Sequence, residues 1–114
     1  MSVYRIVADV NQPIASPYVQ SFDLIVHNMG TRSFEALLEV TGPGGIVYRS
    51  LCGLQPDPHE KAIHVFQDVA TSYSPFELRL ISNIFNAGTL SLELIIKNGG
   101  VLIARFSHLD FEIY

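Results

Sequence analysis

The sequence predicts an all-β protein, an antiparallel β-sandwich of about eight or nine strands with an immunoglobulin-like or jelly-roll arrangement. Short segments in which apolar and polar residues alternate recur along the chain, which is typical of strands half-buried in a sheet. Glycine, proline and asparagine separate these segments, and no helical periodicity continues beyond a turn or two. A length of 114 residues leaves no room for a second core, so residues 1–114 are expected to form one domain.

The first two strands are predicted at residues 3–10 and 18–27. The loop between them contains two prolines, which lack the N–H group that a strand ladder requires. Residues 1–17 are therefore a candidate N-terminal extension or a strand exchanged between copies. In the second strand Phe22 and Leu24 share one face and polar residues occupy the other, as in a half-buried strand.

The third and fourth strands are predicted as a hairpin, residues 34–41 and 46–51, joined by a Gly-Pro-Gly-Gly turn at 42–45. Glu35 and Glu39 determine the register of the third strand, because a slip of one residue would bury both carboxylates.

The fifth strand is predicted at residues 62–69, after a polar loop at 54–61 in which two prolines exclude regular structure. Ile63, Val65 and Val69 are expected to point into the core.

The remaining strands are predicted at residues 76–82, 89–97 and 101–106. Asn98-Gly99-Gly100 is a strong tight-turn signal, which predicts that the last two of these strands form a hairpin. Residues 110–114 alternate once more and are expected to add an edge strand.

Composition favours association with other copies of the chain. Hydrophobic residues make up 48% and charged residues only 16%, against roughly 25% charged in an average soluble protein. A small domain cannot bury such an excess by itself. The net charge of −4, with scattered basic residues, disfavours nucleic acid as a partner, and the longest apolar runs are far too short to cross a membrane.

Apolar residues on predicted outer faces indicate where such contacts lie. Ile25, Leu37, Ile81 and Ile95 each fall on the polar side of a strand, with Leu102 as a further candidate. The first strand is a candidate for strand addition to a neighbouring copy. Ordinary scatter of surface residues and a ligand groove are the alternatives. The predicted assembly interface comprises Val3, Tyr4, Ile6, Ile25, Leu37, Ile81 and Ile95.

Cys52 is the one cysteine, so an internal disulfide is impossible. Two interpretations remain open. The thiol is either a small buried hydrophobic group or, because a turn-rich segment follows it, an exposed group that forms a disulfide between copies.

Candidate catalytic chemistry is sparse. His59, Glu60 and His64 differ from a zinc-protease motif, which needs histidines four apart on a helix. His64 and Asp68 are predicted to share a strand face with Phe66, either as a surface metal or proton site or as solvent-facing polar residues. We find no serine-nucleophile elbow or phosphate loop in the sequence. We therefore predict no enzyme activity, no catalytic or metal residues and no cofactor.

Residues 22–30 (FDLIVHNMG), 34–40 and 44–48 (GGIVY) resemble the strand-Asn-x-Gly-strand-Gly-strand pattern of bacterial immunoglobulin-like adhesion and surface modules. The resemblance implies a sandwich fold and a non-catalytic role. The chain is more loosely similar to the small β-sandwich subunits of endospore appendages and other bacterial surface fibres, in which an N-terminal segment completes a neighbour's sheet. It departs from disulfide-rich spore fibres in having one cysteine.

Three functions follow from these observations. The first is a self-assembling structural subunit of a fibre, extracellular appendage, spore layer or virion shell. The second is a monomeric binding module for carbohydrate or peptide that uses loops 55–61 and 70–75 at one end of the sandwich. The third is a metal-dependent enzyme that uses His59, His64 and Asp68. The expected location is a cell or spore surface or a virion, reached without a classical signal peptide.

Overall fold

A computed structural model describes residues 1–10, 12, 14–56, 58–83 and 89–113. These residues form ten strands in two sheets, which confirms the predicted all-β sandwich. Of the features discussed above, one proline of the first loop (Pro13), residue 57 of the loop at 54–61 and the C-terminal Tyr114 lie outside the described residues. The strands are β1 (Ser2–Asp9), β2 (Ile14–Ala15), β3 (Ser21–Asn28), β4 (Phe34–Gly42), β5 (Gly45–Leu54), β6 (Ile63–Ala70), β7 (Phe76–Ser82), β8 (Leu90–Asn98), β9 (Val101–Ser107) and β10 (Glu112–Ile113).

Sheet one has the strand order β10-β1-β7-β4-β5, and the short β2 pairs in parallel with the end of β1. Sheet two has the order β6-β3-β8-β9. The two long hairpins, β4–β5 and β8–β9, lie in different sheets, while most other connections cross from one sheet to the other. In the described part of the chain, no helix is long and apolar enough to cross a membrane.

The core lies between the two sheets and is made by alternate residues of each strand. On β3, β7 and β8 the inward side chains are buried, and all of them except Asn28 and Ser82 are aliphatic or aromatic. Phe22 of sheet two stacks on Phe76 of sheet one, with ring centroids 5.6 Å apart. Each side chain buried to this degree contributes about 1.5–3 kcal/mol of transfer free energy, so this core is the main source of stability.

The expected inward positions of Ile63 and Val65 are wrong. Both side chains are about half exposed, and Phe66 and Val69 are the buried residues of β6. The reason is a bulge, because two residues of β6, including Asp68, lie opposite a single residue of β3. Asp68 adopts a positive φ of 53° there, and the bulge reverses which side chains face the core.

The predicted β8–β9 hairpin and the predicted C-terminal edge strand are both confirmed. Asn98 and Val101 close the β8–β9 hairpin, with Gly99 and Gly100 at φ of 61° and 80°. These angles are strained for residues with a side chain, and glycine adopts them freely. The predicted edge strand is present as β10, which pairs antiparallel with β1.

The Asn-x-Gly segment that contributed to the family resemblance has a structural role in the turn after β3. The buried Asn28 side chain donates from Nδ2 to the carbonyl of Arg32 at 2.8 Å and accepts from the Gly30 N–H at 3.0 Å. A Cβ at position 30 would lie 2.9 Å from the Cβ of Thr89. Glycine is therefore required there for a close approach between two loops.

Candidate assembly surfaces

The structure divides the seven predicted interface residues into three groups. Tyr4 and Ile6 are buried in the core, so in this arrangement they are not available to a neighbouring copy, and their place in an interface stays a prediction that depends on exchange of the first strand. The alternation of β1 directs both side chains inward and leaves Val3 on the outer face. In addition, β1 lies inside sheet one, paired with β7 on one side and β10 on the other. Exchange of residues 1–17 between copies stays a prediction, and it would require this interior strand to leave its sheet.

Val3, Ile81 and Leu37 form one continuous row across the outer face of sheet one. Val3 pairs with Ile81 and Ile81 pairs with Leu37, which in turn pairs with Leu51 of β5. Directly opposed side chains in a sheet lie about 5 Å apart, so the four aliphatic groups are in contact range. We call Val3, Ile81, Leu37 and Leu51 the apolar row. It crosses all four long strands of sheet one.

Leu51 is the residue of this row that sequence reasoning missed. Its side chain is 63% exposed, the most exposed of the four. The signal was present, because a hairpin that turns at residues 42–45 pairs residue 37 with residue 50 or 51. The sequence predicts a fourth strand that ends at residue 51, whereas β5 continues to Leu54, so the prediction puts Leu51 at the end of the strand and not within the sheet.

A second row, of charged residues, runs beside the apolar row. Each of the four long strands carries one charged residue of this second row, two positions along the strand from its residue of the apolar row. The charged residues of neighbouring strands are paired directly across the sheet. Arg5 contacts Glu77 and Glu112 at 3.1 Å, and Arg49 contacts Glu39 at 3.0 Å. The charged row comprises Glu112, Arg5, Arg79, Glu39 and Arg49. Its charges are largely paired within the molecule, and they form a polar border along one side of the apolar row.

Ile25 and Ile95 lie on the outer face of sheet two, so the structure does not bring them to the apolar row. Ile25 is flanked in the sheet by Val65 and Glu93, and Ile95 by Asp23 and Arg105. Asp23 forms an ion pair of 3.0 Å with Lys97. This face therefore alternates aliphatic and charged groups and has no continuous apolar row.

The outermost strands form a further surface, of which the sequence identified only Leu102 as a candidate. Sheet one ends at β10 and β5, and sheet two ends at β6 and β9. β9 begins with three consecutive exposed aliphatic residues, Val101, Leu102 and Ile103. An outermost strand presents backbone N–H and C=O groups to which another strand can bond.

Cys52 is buried, which confirms the first of the two interpretations of this residue, a small buried hydrophobic group, and not the exposed thiol. Alternation along β5 places Cys52 and Leu54 inward and Gly53 outward, and Cys52 lies opposite Ala36 of β4. Burial raises the pKa of the thiol to about 11, partly offset by a hydrogen bond to the backbone of Ala36. A disulfide between copies would need β5 to open.

The histidines and acids considered for metal chemistry do not converge. His59 caps a short turn at Glu60–Ala62, and its Nδ1 accepts from the Lys61 N–H at 3.0 Å. His64 packs edge-on against Phe66, with ring centroids 4.6 Å apart. Asp68 instead contacts Lys97. Among the described residues there is no cluster of three or more histidine, cysteine, aspartate or glutamate side chains positioned to hold a metal ion.

The loops assigned to a binding module lie at opposite ends of the molecule, so the expectation of one shared site is wrong. Residues 58–62 lead into β6 where Ile63 pairs with His27, and residues 71–75 follow β6 where Ala70 pairs with Ser21. A strand of eight residues is about 25 Å long, which separates the two loops.

Comparison with known proteins found no matching family model, no matching curated protein and no matching solved structure.

Proposed function

We propose that this protein is a non-catalytic structural subunit that assembles with copies of itself into a fibre, appendage or shell. The observation that carries the proposal is the apolar row, which places four aliphatic side chains side by side on a solvent-facing sheet, bordered by the charged row. An apolar centre with a polar border is the usual anatomy of a protein interface. Leu51 is exposed and Val3, Leu37 and Ile81 are half-buried. A continuous apolar patch that water can reach is also a usual sign of a covered surface on a small domain.

The flatness of the outer face favours contact between two sheets. Two copies related by a twofold axis place the apolar row of one against the apolar row of the other. Aligned sheets pack about 10 Å apart with interleaved side chains. Leu51 and Leu37 then fill spaces between the partner's side chains, and water leaves both rows.

The size of this face limits the strength of the contact. Four strands spaced about 4.8 Å apart, each about 25 Å long, give a face of roughly 500 Å². Stable complexes usually bury about 800 Å² on each partner. Stacking of sheet one is therefore expected to give a reversible pair, and an extended assembly needs a second contact.

The proposal is tested by charge substitution within the apolar row. Leu51→Lys puts an ammonium group at the centre of the contact, and because Leu51 is exposed, the fold should be unaffected. Val47→Lys is the matched control, since Val47 lies on the same strand with 58% exposure but outside the row. Sedimentation velocity over a concentration series should show self-association of the wild type weakened at least about tenfold by Leu51→Lys and unchanged by Val47→Lys.

Two results would contradict the proposal. A wild-type protein that stays monomeric at the highest attainable concentration would exclude self-assembly. Equal effects of Leu51→Lys and Val47→Lys would show that the apolar row is not the contact.

A further inference from the structure

We propose that the β8–β9 turn holds a site of spontaneous self-modification. At this site the backbone nitrogen of Gly99 displaces the side-chain amide of Asn98 and converts this residue to aspartate or isoaspartate. In the folded protein Gln20 and Tyr73 hold the reacting groups apart and keep the reaction slow. The inference does not depend on the proposed self-assembly, because every group involved belongs to one chain and the co-reactant is water.

The reaction is an attack of one residue on its neighbour. The nitrogen of Gly99 bonds to Cγ of Asn98 and gives its proton to water, the bond from Cγ to Nδ2 breaks, and the amide leaves as ammonia. The resulting succinimide ring takes up one water at either of its two carbonyl carbons, which gives aspartate or isoaspartate. One water is consumed and one ammonia is released, with no oxidation or reduction. Because the attack is intramolecular, it needs no separate catalyst once the two atoms are in reach.

Asn98 is the asparagine of this chain best suited to such an attack. Of the five asparagines it alone precedes a glycine. Each of the other four is followed by a residue whose Cβ lies beside the attacking nitrogen, whereas glycine has none. Gly99 is exposed, and among the described residues nothing except its chain neighbours lies within 4 Å of the position that a Cβ would take. Water can therefore reach the turn and open the ring.

The attacking nitrogen is held by Gln20. The Gly99 N–H donates to Oε1 of Gln20 at 2.6 Å. Gln20 is itself tied to the end of β8, because its own N–H donates to the carbonyl of Lys97 at 3.1 Å. A nitrogen that attacks Cγ must give up its proton and turn toward the side chain, and the hydrogen bond to Gln20 opposes both changes. Gln20 therefore slows the reaction on the side of the nucleophile.

The side chain under attack is held by Tyr73, whose hydroxyl donates to Oδ1 of Asn98 at 2.9 Å. Tyr73 has a positive φ of 64°, a conformation that is costly for a residue with a side chain. Its N–H donates to the carbonyl of Val19 at 2.9 Å, which holds the loop in this conformation. The tyrosine is thus positioned by its own loop, and its hydroxyl restrains rotation of the Asn98 side chain.

Strand pairing adds a third restraint. Asn98 ends β8 and pairs with Val101, and Gly99 and Gly100 make the turn between them. Closure of the succinimide ring requires the peptide group between Asn98 and Gly99 to rotate, which disturbs this pairing. The reaction is therefore expected to proceed from brief local openings of the turn, as hydrogen exchange does. Its rate measures how often these openings occur.

The test follows loss of the Asn98 amide at pH 8 by mass spectrometry of proteolytic peptides. The wild type is incubated folded and unfolded in guanidinium chloride, beside Gln20→Ala, which removes the acceptor of the Gly99 N–H. Gln67→Ala is the matched control, because Gln67 is also an exposed glutamine but lies on β6. Gln20→Glu keeps an acceptor oxygen, and Tyr73→Phe removes the hydroxyl that holds Asn98. Circular dichroism establishes that each variant is folded.

We expect Asn98 to react at least about tenfold more slowly in the folded than in the unfolded wild type, and to give both aspartate and isoaspartate. Gln20→Ala should accelerate the folded reaction at least about threefold, and Tyr73→Phe should also accelerate it. Gln67→Ala and Gln20→Glu should leave it unchanged. In guanidinium chloride all five proteins should react at the same rate, because the restraints exist only in the fold.

Each contrary result overturns a stated part of the inference. If Asn98 does not react even in the unfolded chain, there is no modification site. A folded wild type that reacts as fast as the unfolded chain would show that the turn imposes no restraint. Equal rates for Gln20→Ala and Gln67→Ala, or acceleration by Gln20→Glu, would exclude the hydrogen bond to Gln20 as the cause. A slower reaction of Tyr73→Phe would show that the hydroxyl assists the attack.

Discussion

The thiol of Cys52 is expected to be unreactive, because β5 places it in the core. It is buried in sheet one, and its pKa is raised to about 11. At pH 8 only about one thiol in a thousand is then ionised, and the thiolate is the reactive form. We expect an aromatic disulfide reagent to label the native protein far more slowly than the urea-unfolded protein. Rapid stoichiometric labelling of the native protein would contradict the buried position.

The same burial predicts a dependence of stability on alkaline pH. The folded thiol keeps its proton up to a pKa of about 11, whereas the unfolded thiol loses it near 9.0. The folded state therefore binds more protons between these values, and stability falls as the pH rises through that window. The contribution of Cys52 is on the order of 2 kcal/mol.

Urea unfolding of the wild type and Cys52→Ala at pH 8, 9, 10 and 11 measures this effect. The stability advantage of the wild type over Cys52→Ala should shrink as the pH rises. Lys97 remains in the variant, and the hydrogen bonds that it donates to Asp68 and Asp23 raise its pKa. The variant should therefore still lose stability at the alkaline end. Parallel pH profiles of the two proteins would refute a raised thiol pKa.

Burial also predicts which leucines hold the fold together. Leu94 is fully buried at the centre of sheet two, whereas Leu109 is 82% exposed. Leu94→Ala removes core contacts and leaves a cavity, at a cost of about 2–5 kcal/mol in the free energy of unfolding. Leu109→Ala should change it by less than about 0.5 kcal/mol. Similar losses for both variants in urea unfolding would argue against this core.

At the level of elements, the β8–β9 hairpin depends on its two glycines. Gly100 has a φ of 80°, at which a Cβ is strained, so Gly100→Ala should cost about 1 kcal/mol. Gly53→Ala is the control, because a Cβ at Gly53 meets open space at an ordinary φ. It should leave the thermal midpoint unchanged or slightly higher. A neutral Gly100→Ala would show that the turn has another conformation.

The hairpins and the alternation within strands could be predicted from the sequence, because both depend on neighbouring residues. The β8–β9 turn and the outward positions of Leu37 and Ile81 were obtained in this way. The inward face of β6 was not, because the bulge puts a non-glycine residue, Asp68, at positive φ. Its hydrogen bond to Asp23 joins residues 45 positions apart, and no local pattern predicts such a contact.

At the scale of the whole molecule, strand order decides which outward residues become neighbours. The sequence predicts Leu37 and Ile81 as outer-face residues and Val3 as part of the interface of the first strand, and the order β1-β7-β4 makes the three of them neighbours. The order of sheet one also places β1 between β10 and β7, whereas the sequence predicts the first strand as one that could leave its sheet. Pairing between distant segments sets this order, so alternation within one strand cannot supply it.

The central claim is self-assembly, and electron microscopy of the purified wild-type protein tests it most directly. Negative-stain images and light scattering would be recorded over a concentration series in reducing buffer, where no disulfide can join copies. We expect filaments or other ordered assemblies that grow with concentration and persist without oxidation, because the proposed contact through the apolar row needs no disulfide. A uniform monomer at every concentration would contradict the claim.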